Sequence, residues 1–163
     1  MVLTWSWARA TGVDVGDIVK MAQADFQSEV EGIFIPDPVA YARNITMACV
    51  NQFYLPGSEL LLVARDTVGQ LVAYVWVIRQ LAPWSDESMA AVRMVHLALN
   101  LTARDRVRLV QQMIGFWEVW ATESQCPVVC STTMRHEQEG FLRLHERAGY
   151  DCRGSVCYKR LAV

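Results

Sequence analysis

Gly140-Phe141-Leu142-Arg143-Leu144-His145-Glu146-Arg147-Ala148-Gly149-Tyr150, followed by Gly154-Ser155-Val156-Cys157-Tyr158-Lys159-Arg160-Leu161, is the stretch whose reading decides the fold. Phe141, Leu144 and Ala148 fall on one stripe of a helix, because side chains three and four apart share a face. Gly149 stands where a left-handed cap is wanted, since it alone carries no Cβ to clash there. The spacing therefore predicts a last helix over 137–148 that stops at Gly149 and gives way to one or two closing strands over 150–161.

Upstream of that segment the periods alternate between two and 3.6. Residues 3–9 place Leu3, Trp5 and Trp7 against Thr4, Ser6 and Ala8, the pattern of a half-buried strand. Asp14 then offers a helix cap ahead of Ile18, Met21, Ala22 and Phe26, and Asp37-Pro38 opens a second helix with a capping residue and a proline at the first helical position. That helix should end near residues 54–57. Residues 59–65 and 70–80 are rich in Leu, Val, Tyr and Trp and flank Asp66-Thr67-Val68-Gly69, the punctuation of an antiparallel hairpin. A polar loop over 82–89 precedes a strand at 92–99. Thr102-Ala103-Arg104-Asp105 is a capping box for a long helix carrying Val107, Val110, Met113, Ile114, Trp117, Trp120 and Ala121, and 127–133 gives a further strand. Taken alone, this order supports an α+β or α/β domain with a mixed sheet.

At 163 residues, 53% of them apolar, the chain suits one domain with a full core rather than two. Lys plus Arg number 15 against 17 Asp plus Glu, and a balance of −2 creates no strong field for nucleic acid or an anionic membrane. The first ten residues lack the basic start and apolar run of a signal peptide, and Arg65, Asp66, Arg79 and Arg93 interrupt the apolar windows. The expectation is a cytoplasmic protein without a membrane span. Five cysteines at positions 49, 126, 130, 152 and 157 show no spacing of a zinc or redox motif, and most read as small buried hydrophobes. Trp84, in the polar loop, is either folded under that loop or exposed as a contact surface.

The closing segment resembles that of the GCN5-related N-acetyltransferases (GNATs), and the order of elements is similar to theirs over nearly the whole chain. The resemblance implies an α/β (α+β) fold: a mixed, mainly antiparallel sheet of about six to seven strands flanked by four helices, in one domain over 1–163. It implies acetyl-CoA as donor, held where the fourth strand feeds the long helix. The positions concerned here are Leu99, Leu101, Arg104 and Arg106, with Gln138 at the head of the last helix. An amine-bearing acceptor would be bounded by the first two helices and the loop around 82–89. In the resembled family the last helix usually carries an Asn early and a Tyr late, the Tyr protonating the departing thiolate. Gln138 and His145 stand at those places, and a histidine can also give a proton near neutral pH. A general base would come from the central strands, which points to His96 and more weakly to Glu59.

One departure matters. Where the family has Gln or Arg, two residues, Gly, one residue, then Gly or Ala, this chain reads Asn100-Leu101-Thr102-Ala103-Arg104-Asp105-Arg106-Val107-Arg108-Leu109, with no glycine. Side chains there should obstruct a close backbone cradle for a pyrophosphate, and Asp105 would repel it if it faced the site. Against that, arginines in the first turns of a helix cost about 0.3–1 kcal/mol each unless an anion compensates. That anion would be a CoA phosphate, a nucleic-acid backbone or a partner's carboxylate. Equally, the arginines could extend into water beside Asp105. Two functions follow: a GNAT-like N-acyltransferase with acetyl-CoA binding weakened and catalysis impaired, or a pseudoenzyme that uses the fold for assembly with protein partners, in the manner of virion-associated components of bacteriophage particles.

Overall fold

The computed structural model describes residues 3–29, 33–82, 84–133, 138–154 and 159–160, without the side chains of 25 and 27–29. Strand β1 (Trp5–Arg9) leads through a short 3-10 turn (Gly12–Asp14) into helix α1 (Val15–Glu29) and then α2 (Pro38–Tyr54). Strands β2 (Glu59–Asp66), β3 (Leu71–Leu81) and β4 (Ser88–Leu97) follow, then helix α3 (Ala103–Glu123), strand β5 (Val128–Ser131) and helix α4 (Glu139–Arg147). The sheet runs β1-β2-β3-β4-β5, antiparallel except for the parallel β4–β5 pair. This is the mixed, mainly antiparallel sheet with four helices that the sequence leads one to expect.

Side chains alternate across a strand, so each strand feeds two cores. Leu60, Leu62, Ala73, Val75, Val77 and Val92 join Leu109, Val110, Met113, Ile114 and Trp117 of α3 on one face. Leu61, Val63, Leu71 and Tyr74 meet Ile18 and Ala22 of α1 and Ile45, Ala48 and Cys49 of α2 on the other. Local signals end α2 and α4 as read, whereas the cap read at Asp14 is supplied by Thr11, with Asp14 accepting from the Thr11 N–H. Asp37 Oδ1 accepts from the N–H groups of Val39 and Ala40 (2.9 and 3.0 Å), and Gly149 takes φ +90° after α4. Asp66 Oδ1 holds the β2–β3 turn by accepting from Val68 and Gln70, and Gly69 supplies its positive φ of 84°.

Two further expectations are corrected, and one open choice, at Trp84, is decided. Among the described residues the sheet has five strands, not six or seven. Residues 150–154 form none: Gly154 turns left-handed at φ +80°, and residues 151–154 are exposed with no neighbouring strand among the described residues. The remainder of the expected closing strands, at 155–158 and 161, lies outside the described residues, as do Cys157 and Pro83. Strand β4 starts at Ser88 rather than 92. Its residues Ser88 to Ala91 pair with Leu81 to Ile78 of β3, and this non-local pairing overrides the weak strand preference of Ser and Ala. Trp84, finally, is 85% exposed, so the loop does not cover it. Of the four described cysteines, all unbonded, Cys49 and Cys126 are buried as expected, Cys130 is half-buried and Cys152 is exposed.

Candidate active site

The sheet opens where β4 outruns β5. Parallel pairing extends only from Met89 opposite Val128 to Val92 opposite Ser131, and β5 then stops while β4 continues to Leu97. At that point the β3–β4 register slips: Val77 faces Val92 but Trp76 faces Met94, so Arg93 is an extra residue that bends β4. From Arg93 to Leu97 the outer edge of β4 has no strand partner among the described residues, and its alternate N–H and C=O groups point away from β3. A cleft of about 780 Å3 occupies the gap.

The cleft wraps around that free edge and reaches both faces of the sheet. On the α3 side it is lined by Ala103, Arg106, Val107 and Val110, with Gly140, Phe141 and Leu144 of α4 and Thr132 and Thr133 after β5. On the α1–α2 side it is lined by Phe26, Phe34, Pro36, Tyr41, Asn44 and Trp76. His96 and Met94 of β4 face that second half, and Val95 and Leu97 face the first.

The glycine-free turn takes a definite form. Thr102 caps α3 by accepting from the Asp105 N–H at 3.2 Å, while its hydroxyl donates to Asp105 Oδ2 at 2.7 Å. Asp105 is thereby buried behind the cap, beside Arg108 at 3.4 Å, and is absent from the cleft lining, so it does not oppose an anion there. Ahead of it, the N–H groups of Ala103 and Arg104 are helix donors that no intrahelical carbonyl can reach. Arg106 donates to the carbonyls of Leu99 (2.5 Å) and Leu101 (3.2 Å), which fixes the turn and leaves further guanidinium N–H groups for the cleft. Leu99 is exposed and Leu101 half-buried against the α3 core, so both contribute through their carbonyls. Arg104 is exposed at the helix start, whereas Arg108 lies 4.6 Å from the Trp5 ring centroid and points off the site.

Aromatic packing holds the other half. Tyr41 and Tyr74 share a hydrogen bond of 2.7 Å between hydroxyls, and burial raises Tyr41 to about 12. The Tyr74 ring stacks on His96, 4.9 Å between centroids and 8° from parallel, as cross-strand partners on one face do. Phe26 meets Tyr41 and His96 edge-on at 5.3 and 5.6 Å. Trp76 donates to Glu59 at 2.8 Å, and Asn51 donates to the other Glu59 oxygen at 2.6 Å, so Glu59 is a strut between α2 and β3 rather than a cleft residue.

Of the residues singled out from the sequence, Arg106 and His96 line this one cleft, with the Leu99–Leu101 turn at its edge. His145 is set behind it. Its ring lies 4.2 Å from Phe141, 5.0 Å from Tyr150 and 5.7 Å from Trp117, and Nδ1 donates to the Phe141 carbonyl at 2.9 Å. Burial holds its pKa below 6.5, against the opposing pull of that hydrogen bond and of Glu118. Gln138 is the exposed residue before α4, and only its carbonyl is used, by the Leu142 N–H at 3.0 Å. His136, near Cys130 in sequence, lies outside the described residues. The aromatic wall of Phe26, Tyr41 and Trp76 was not legible beforehand, because each reads as core on its own element.

No protein-family model matches the chain, and no curated protein matches it in sequence. Solved structures do match in shape. Glucosamine-6-phosphate N-acetyltransferase from Arabidopsis thaliana superposes with TM-score 0.70 at 12% identity, over 98% of this chain and 99% of that one. A predicted acetyltransferase from Clostridium acetobutylicum with acetyl-CoA gives 0.75 at 10% identity, over 96% of each chain. An aminoglycoside N-acetyltransferase in complex with CoA gives 0.72 at 10% identity, over 100% of this chain and 98% of that one. The chain has the GNAT fold, and it is related in architecture to N-acetyltransferases of quite different acceptors.

Proposed function

We propose that the protein is an N-acyltransferase that moves an acetyl group from acetyl-CoA to a primary amine. The observation that carries this reading is the two-sided cleft at the free edge of β4. It offers one half beside the positive end of a helix and another half walled by aromatic rings, so that two ligands would meet at the strand edge. The fit to CoA rests on Arg106 and the first N–H donors of α3 for the phosphates, and on the outward N–H and C=O groups of β4 for the amide-bearing arm. Acetyl-CoA, when bound, supplies an activated acetyl group: the amine nitrogen bonds to the thioester carbon as the C–S bond breaks, and the sulfur leaves with the bonding pair and is protonated.

The chain's own part is positioning and proton handling. His96, buried in the cleft wall and held by Tyr74 and Phe26, is the group we assign to draw the proton from the attacking amine, directly or through water. His145 has a packing role in this reading, since Phe141 stands between it and the cleft. Without the glycine-rich turn, fewer backbone donors approach the pyrophosphate, and the arginine contribution is correspondingly larger. Isothermal titration with acetyl-CoA tests the reading. Micromolar binding that Arg106→Ala weakens by about tenfold, or about 1.4 kcal/mol, is expected; no heat at millimolar ligand sinks it.

A second reading, assembly without catalysis, as in a phage particle, is favoured by a different surface. Met47, Val50, Phe53 and Tyr54 of α2 are 42–80% exposed, and Trp84 is exposed too. Its test is the same titration, with silence toward acetyl-CoA as the supporting outcome.

A further inference from the structure

The electrostatics of the cleft bear on what the acceptor is, a question that rests on the acyltransferase reading above. Among the described residues lining the cleft, the only formally charged side chains are Arg93 and Arg106, and no carboxylate is among them. The two arginines serve different halves. Arg106 belongs to the α3 side and is tied to the carbonyls of Leu99 and Leu101. Arg93, the bulged residue of β4, lays its guanidinium 6.0 Å from the Trp76 ring centroid on the α1–α2 side. Two described carboxylates of the neighbouring elements are engaged elsewhere: Asp37 caps α2, and Glu59 is held by Asn51 and Trp76.

Among the described residues lining this half, a polycationic acceptor would therefore meet no counter-charge and one like charge, Arg93. The walls are Phe26, Phe34, Tyr41 and Trp76, which bury a flat apolar group, and Arg93 rests on one of those rings with its hydrogen-bonding edge available. A guanidinium matches a planar carboxylate with two parallel N–H···O bonds. We infer that the acceptor is an aromatic primary amine carrying a carboxylate, the chemistry of an aromatic amino acid, with its ring on the Trp76–Tyr41 wall and its carboxylate on Arg93.

The test uses the purified full chain in two measurements. Thiol release from acetyl-CoA is followed with phenylalanine and tryptophan, with their decarboxylated analogues phenethylamine and tryptamine, and with spermidine and an aminoglycoside. Direct titration with N-acetylphenylalanine, without acetyl-CoA, reads the acceptor half by itself. The expected result is a kcat/KM at least tenfold higher for the amino acids than for the decarboxylated amines, a preference that Arg93→Gln removes, together with N-acetylphenylalanine binding weakened at least fivefold by Arg93→Gln and by Trp76→Leu. Equal or faster turnover of the polycations, or indifference to Arg93→Gln, overturns the inference. If acetyl-CoA fails to bind while N-acetylphenylalanine binds through Arg93, the inference on the acceptor half stands and the acyltransferase reading falls. If acetyl-CoA binds and the aromatic carboxylates do not, the reverse holds.

Discussion

Two buried titratable residues, His145 and Asp14, make the stability of this protein depend on pH in acid. His145 is neutral in the fold, with Nδ1–H on the Phe141 carbonyl, its other nitrogen without a partner, and Trp117, Phe141, Tyr150 and Glu118 around it. The unfolded chain takes up that proton near 6.5, the folded one only at lower pH. In the window below 6.5 the unfolded state thus holds more protons, so stability falls as pH drops through it, down to the folded pKa. Asp14 adds a later loss. Burial pushes its carboxyl up, but hydrogen bonds from Arg65 at 2.7 Å and from Thr11 outweigh this and leave it below 3.8, so its contribution is present above that pH and is lost below it. Urea melts between pH 7 and 5 should show declining stability in the wild type and a flatter profile in His145→Phe, while both weaken again below pH 4. A slope unchanged by His145→Phe would place the titrating group elsewhere. None of this was visible in the sequence, where His145 differs in no way from a surface histidine; its neighbour Tyr150 and the α3 residue Trp117 close on it only in the fold.

At the scale of elements, the local signals read well. The caps Asp37 and Thr102 and the stop at Gly149 act where the sequence puts them, because a cap is made by residues within one turn of each other. Gly149→Ala, at φ +90° with open space for a Cβ, should cost about 1 kcal/mol through backbone strain alone and leave acetyl-CoA affinity intact. Denaturant midpoints would show it, and a neutral result would mean that α4 ends differently in solution. The strands were less legible. Ser88 and Met89 read as loop, and Ala90 and Ala91 as neither loop nor strand, because their strand character comes from β3 across the hairpin and β5 alongside, and the Arg93 bulge leaves no mark in the sequence.

At the scale of the whole molecule, the cleft exists because two neighbouring strands part and two helix pairs cover opposite faces of the sheet. A ligand spanning it touches both cores at once and should stabilise the fold as a unit. At about a hundredfold excess over Kd, linkage gives roughly 2.7 kcal/mol, which in a chain of this size is a rise in Tm of about 5–10 °C. A thermal scan with acetyl-CoA that shows no rise at such a ratio would mean that the ligand is held equally by the unfolded chain or not at all. By itself the sequence determined the helices, their ends, the hairpin turn and the alternation of elements, since each rests on periodicity and caps within a few residues. Tertiary structure alone decided that Phe26, Tyr41 and Trp76 form one wall with His96, that Asp105 turns inward, that His145 is sealed behind Phe141 and that Arg93 reaches the cleft. Those outcomes depend on strand register and on where β4 outruns β5, and pairings between residues far apart in the chain are encoded by no local pattern.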